Sequence, residues 1–151
     1  MSVWFERARV LGSAVEARAG WLGPAAARFT VGWVFLQSGW GKLHNLEQVT
    51  GFFASLGIPA PELQAPFVAS IEFLCGALLL AGLATRLAAV PLMGVMVVAL
   101  STALADQIEG LSDLLGLSEF CYAVMLAWLA LRGAGSFSLD ALVARRMSAE
   151  R

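Results

Sequence analysis

Apolar residues in this chain come in long blocks, and the charged residues collect at the block ends and between them. Residues 64–86 (QAPFVASIEFLCGALLLAGLATR) form one such block, crossed by a single charge at Glu72 and closed by Gly82, Thr85 and Arg86. A spanning helix needs about 20 apolar residues, so this run is long enough to cross a bilayer. Residues 25–43 (AAARFTVGWVFLQSGWGKL) predict another span, with Arg28 at one end and Lys42 at the other, where long side chains snorkel to water. A third span is predicted over 86–105, with Pro91 near its start, and a fourth, the shortest, over 114–132. Gly82-Leu83-Ala84-Thr85 leaves almost no loop between the spans over 64–84 and 86–105. Those two therefore form an antiparallel hairpin, with Thr85 as the N-cap of the second helix.

The remaining segments are shorter and amphipathic. Over residues 3–22, Trp4, Leu11, Val15 and Trp21 recur at helical spacing opposite Glu6, Arg9, Ser13 and Glu16. That pattern suits a helix lying in the membrane interface, or one packed on the end of the other helices. Gly23-Pro24 breaks the chain before the first span. Asn45-Leu46-Glu47-Gln48 has the form of a capping box and opens a helix running to about Leu56, stopped by Gly57, Pro59 and Pro61. At about ten residues this helix is too short to span and is expected to lie over the mouth of the other helices as a lid. Residues 106–118 form an acidic loop carrying Asp106, Glu109 and Asp113, and Ser136 or Ser138 caps a last amphipathic helix with Arg145 and Arg146 on its polar side. The predicted fold is all-α. It has an N-terminal interfacial helix (1–23), a four-transmembrane-helix antiparallel bundle with a short extracytoplasmic lid (24–132), and a cytoplasmic tail with a C-terminal amphipathic helix (133–151).

Composition agrees with this pattern. The chain is 59% hydrophobic and 14% charged, with a mean hydropathy of +0.76, whereas a soluble domain carries about 25% charged residues. A dissolved monomer is excluded, and the lipid bilayer is the first expected partner. The net charge of −1 conceals an asymmetry along the chain. Arg7, Arg9, Arg18, Arg28, Arg86, Arg132, Arg145, Arg146 and Arg151 fall on the side that holds both predicted termini, and only Lys42 falls on the other. Basic residues stay cytoplasmic, so both termini are expected inside, with His44, the lid and the acidic loop outside. The first twenty residues lack a continuous apolar core, and no cleavable signal peptide is expected. Cys75 and Cys121 form no Cys-x-x-Cys pair and read as small apolar residues rather than a thiol relay. No nucleic-acid partner is expected.

Glu72 is the candidate for chemistry, because a carboxylate at the bilayer centre costs about 3 kcal/mol on insertion scales. It lies about 12 to 15 Å below the outer end of its helix, and Arg86, on the same face, is about 21 Å away along the axis, too far to pair. The candidate partners are Lys42, Gln37, His44, Glu119 and Tyr122, all in the predicted outer half. They would build a polar pocket for a small headgroup or a proton; the alternative is a buried Glu72 that only fixes helix packing. His44 is the one histidine, so bis-His haem within the chain is excluded, and no Cys-x-x-Cys-His site exists. Gly-x-Gly-x-x-Gly, Walker A and clustered metal-ligand patterns are absent. A redox role would therefore need a diffusible lipophilic carrier, a quinone, or a partner's cofactor. Trp33, Trp40, Phe52, Phe53, Phe73, Phe120 and Tyr122 either line a groove for such a carrier or form an interfacial aromatic belt.

Several of these residues fall into ordered motifs. Gly39-Trp40-Gly41-Lys42-Leu43, Phe53 through Gly57-Ile58-Pro59, Glu72-x-x-x-Gly76, Gly82-x-x-Thr85-Arg86-x-Ala88-Ala89 and Ser138-Leu139-Asp140 together resemble the DoxX family of small bacterial membrane proteins. The resemblance covers residues 24–142. It implies a four-helix bundle in the bacterial inner membrane, and a link to thiosulfate:quinone oxidoreductase and other membrane redox complexes. Lys42, Glu72 and Arg86 are the positions it carries over. The expectation is a membrane subunit of a quinone-linked redox complex, working with a protein partner or as a homo-oligomer. The alternative is a non-enzymatic scaffold, or a small-solute transporter accessory to a soluble oxidoreductase or biosynthetic partner.

Overall fold

In the computed structural model, which describes residues 19–149, every apolar block of the sequence is helical. The elements are α1 (Leu22–His44), α2 (Leu46–Ser55), α3 (Pro61–Ala81), α4 (Thr85–Ser101), α5 (Leu111–Gly116), α6 (Ser118–Arg132) and α7 (Leu139–Ala149), with a 3-10 turn at Ala105–Gln107. No strand occurs among the described residues. By length and composition α3 can cross a membrane, and α4 is apolar but shorter. Residues 3–18 of the expected N-terminal amphipathic helix lie outside the described residues.

Local chemistry moves several boundaries from their predicted places. Gly23 and Pro24 lie inside the first turn of α1 rather than before it, where proline is tolerated because its missing N–H would be unpaired anyway. Asn45 is the N-cap of α2, but its amide donates backwards to the Gly41 carbonyl at 2.8 Å and makes no cap bond. The open carbonyls that end α1 compete for that side chain, so the expected capping box does not form. Thr85 is the first residue of α4, not its N-cap; Ala84 takes the cap position in the left-handed region and has no side chain to offer. Residues 114–132 are not one helix, because the chain is extended at Leu117, directly after Gly116, and this separates α5 from α6.

Helix α1 packs most extensively on α3, and glycines are the reason. A Cβ on Gly39 would lie 2.3 Å from the Phe73 backbone nitrogen, and one on Gly76 would lie 2.6 Å from the Leu36 nitrogen. Gly32 faces the Gly76 carbonyl in the same way, at 3.1 Å. The two backbones therefore touch, as in small-residue contacts between membrane helices. Because Gly32 meets Gly76 while Gly39 meets Ala69 and Phe73, α1 and α3 run antiparallel. The turn over 82–84 reverses the chain into α4, which packs on α6. Val31, Phe35, Leu79, Leu92, Leu126 and Leu129 form the buried centre. Outside, Phe29, Trp33, Phe67, Leu74, Leu87, Val97 and Leu131 are exposed, while Arg28, Glu72 and Thr85 are buried. So large an exposed apolar surface marks contact with another apolar phase.

The end of the molecule away from α2 is tied together by residues 137–140. Arg28 is only 2% exposed and does not snorkel as its place at a span end suggested. Its Nη2 donates to the Phe137 carbonyl at 2.8 Å, and Nη1 sits where a Cβ on Gly82 would be, which leaves glycine alone able to occupy that left-handed turn position. The Asp140 carboxylate accepts from the Ala84 and Thr85 N–H groups at 2.7 and 3.1 Å, and so caps α4 from 55 residues away. The Asp140 N–H donates to the Gly82 carbonyl at 2.9 Å. Ser138, rather than Ser136, accepts from the Ala141 N–H and starts α7.

Two glycine substitutions separate packing from helix propensity. Gly39→Ala should lower stability by about 2 kcal/mol or more, because overpacking against a backbone has no flexible neighbour to yield. Gly94→Ala, with open space around its α-carbon, should be neutral or stabilise by up to about 1 kcal/mol. Thermal unfolding of the detergent-solubilised variants checks both.

Candidate functional site

The glycine contact that joins α1 to α3 also brings two charges together. Gly39 sits against Ala69 and Phe73; Glu72 lies between those two on α3, and Lys42 stands one turn beyond Gly39 on α1. Lys42 Nζ donates to Glu72 Oε1 in a short ion pair. Glu72 is 1% exposed and Lys42 28% exposed, so the acid is enclosed while the cation reaches outward. Glu72 Oε2 is buried and accepts no hydrogen bond among the described residues. A carboxylate held in apolar surroundings needs such a partner, since an unpaired buried charge is far costlier than a paired one.

Lys42 in turn lines a cavity of about 790 Å³. It lies between α1, α2, α3 and α4, under the lid predicted from the sequence. Its walls are mainly apolar, with Phe52, Phe53 and Leu56 from α2, Phe67 and Ile71 from α3, and Val95 and Val98 from α4. Polar groups are few: Gln37, Ser38 and Lys42 from α1, with Asn45, Gln48, Gln64 and Thr102. Asn45 and Gln64 are committed to the Gly41 and Pro59 carbonyls, whereas the exposed amides of Gln37 and Gln48 are free among the described residues. Gln37, Phe52, Phe67 and Val98 are exposed, so the cavity opens outward. Helix α2 covers it without burying any of its own residues.

The candidate residues divide into two groups. Lys42 and Gln37 reach the cavity, and Glu72 stands behind Lys42 without lining it. His44 is exposed, binds the Trp40 carbonyl through Nδ1 and stacks on the Trp40 ring at 4.1 Å. Tyr122 packs edge-on against Phe35 with ring centres 6.5 Å apart, and Glu119 accepts from Ser118 on α6. None of these three lines the cavity. Arg86 is exposed at the opposite end, beside Gly133. Phe52 and Phe53 contribute to the walls, but Trp33, Trp40, Phe73, Phe120 and Tyr122 do not. Sequence reasoning missed Gln48 and Gln64; their place beside prolines and a helix start was the available signal.

The ion pair yields a double-mutant test. Lys42→Met alone should destabilise by about 3 kcal/mol, because it strands a buried carboxylate. Adding Glu72→Leu should recover most of that loss. Thermal melts of the single and double variants measure the coupling.

Comparison with known proteins gives the setting. The DoxX family matches residues 23–105. Membrane protein Rv3486 of Mycobacterium tuberculosis is 35% identical over 133 residues, covering 81% of this chain and 82% of that protein. CatD of Bacillus subtilis, named as a candidate oxidoreductase, is 31% identical over 81% of this chain and 87% of its own length. Inner membrane protein YqjF of Escherichia coli is 25% identical over 83% and 95% respectively. No solved structure matches. The motifs around Lys42, Glu72 and Thr85-Arg86 all lie within the matched stretch, and the chain belongs to the DoxX family.

Proposed function

We propose that this chain is an inner-membrane subunit of a quinone-linked redox complex, with the quinone headgroup seated in the cavity under α2. One observation carries the reading. Among the described residues, an apolar cavity of about 790 Å³ has a single cation on its wall, and that cation is backed by a buried acid with one oxygen unused. Ligand sites run to about 300–1,000 Å³ and are mostly apolar with a few placed polar groups, which suits a ring headgroup and the start of an isoprenoid tail. The name of CatD points towards oxidoreduction, and that of YqjF towards the inner membrane.

In this reading α1, α3, α4 and α6 are the four transmembrane helices of an antiparallel bundle. Helix α6, with 15 residues, is about 22 Å long, and the bilayer thins locally to accept it. The end with Arg28, Arg86, Arg132, Arg145 and Arg146 is cytoplasmic, as are both termini, and the lid faces outward. A bound quinone supplies two-electron, two-proton chemistry, and a partner protein supplies the electrons. This chain's residues bind and manage protons. Lys42 Nζ donates a hydrogen bond to a headgroup carbonyl, and the Gln37 and Gln48 amides hold the ring edge. The Glu72 carboxylate fixes Nζ through the ion pair, and a proton that Nζ passes to the reduced headgroup is replaced on the exposed side of Lys42.

The protein purified in mild detergent should carry extractable quinone. Lys42→Gln should lower its occupancy by about tenfold, the worth of one charge-assisted hydrogen bond, and Glu72→Gln should lower it to a lesser extent. A folded protein that carries no quinone and takes up none on addition would overturn the proposal.

A further inference from the structure

At the end opposite the lid, a second hollow of about 270 Å³ opens between α1, the end of α3 and the start of α7. Two arginines line it, Arg28 and Arg145. Arg28 is buried, yet its Nε and Nη1 groups find no hydrogen-bond partner among the described residues; only Nη2 is used, on the Phe137 carbonyl. Asp140 attracts the guanidinium from a distance but forms no ion pair with it. Both Asp140 oxygens are already engaged by the Ala84 and Thr85 N–H groups. A buried cation with unpaired donors calls for an anion, and the planar guanidinium suits phosphate as it does carboxylate.

The surroundings narrow the choice of anion. Phe29, Leu80, Ala81, Phe137, Leu139 and Leu142 make the apolar part of the lining, and Phe29, Phe137, Leu139 and Leu142 among them are exposed. The hollow therefore sits where an apolar surface meets charged side chains, the level of lipid phosphates. Among the described residues this end carries five arginines, namely Arg28, Arg86, Arg132, Arg145 and Arg146, against one acid, Asp140. We infer that this hollow binds the phosphate group of an anionic amphiphile, with Arg28 as the buried donor and Arg145 closing over it from α7. Free phosphate shares the chemistry, but the apolar lining favours a membrane phospholipid. The inference is independent of the outer cavity and of what fills it.

The full chain, purified in detergent, is titrated with phosphatidylglycerol and with phosphatidylcholine, and bound lipid is counted by native mass spectrometry. Arg28 is packed into the fold, so the test uses two exposed arginines of α7. Arg145→Gln should lose phosphatidylglycerol by about tenfold, whereas Arg146→Gln, which does not line the hollow, should stay within about twofold of the parent chain; unchanged melting shows that both are folded. Displacement of the lipid by millimolar inorganic phosphate would assign the site to the free anion, and retention would assign it to the headgroup; either supports a phosphate site. Equal losses from the two variants, or equal binding of the two lipids, would overturn it.

Discussion

A carboxylate buried 1% exposed among apolar helices can persist only if a cation is delivered to it. That delivery depends on how closely two backbones approach. With any side chain at Gly39 or Gly76, α1 and α3 would move apart, and Lys42 would no longer reach Glu72. The face of α1 that carries Arg28, Gly32, Phe35 and Gly39 is buried as a unit, so the same set of small and charged positions fixes the crossing, the ion pair and the edge of the cavity. Packing and chemistry are not separate layers here.

The distribution of polarity follows from that arrangement. Buried polar groups lie at two depths, Glu72 near the lid and Arg28 with Thr85 near the other end, and the apolar residues between and around them face outward. Membership of the DoxX family, with Rv3486 and YqjF both named as membrane proteins, gives that outward face its solvent. Each polar end then has its own environment: a roomy apolar cavity beside Lys42, and a tight network of backbone carbonyls and one carboxylate beside Arg28.

Much of this was legible from periodicity. The apolar blocks became helices, Gly82 became a hairpin turn, and the short segment ending at Gly57 became a lid, because blocks, left-handed turns and proline stops are local signals. The exceptions were long-range. Thr85 looked like a cap because nothing in its neighbourhood announces an Asp140 that arrives from 55 residues away. Arg28 looked like a snorkelling residue because the segment that covers it is more than a hundred positions distant. Leu117 broke a predicted span because a run of leucines hides how poorly Gly116 continues a helix. At the site, Lys42 was legible as the partner of Glu72, while His44, Glu119 and Tyr122 shared its predicted depth but lie away from the cavity; depth can be counted along one helix, azimuth around the others cannot.

The knot formed by residues 137–140 makes the molecule mechanically lopsided. Arg28, Gly82, Ala84 and Thr85 are all cross-linked through that one short stretch, so α1, α3 and α4 share a stiff base. At the far tip the covering helix has no residue sunk into its neighbours. Near that tip α1 and α3 are still held by the Gly39 contact and the Lys42–Glu72 pair, so the loosest element is the covering helix itself, whose displacement would open the cavity without parting the helices beneath it.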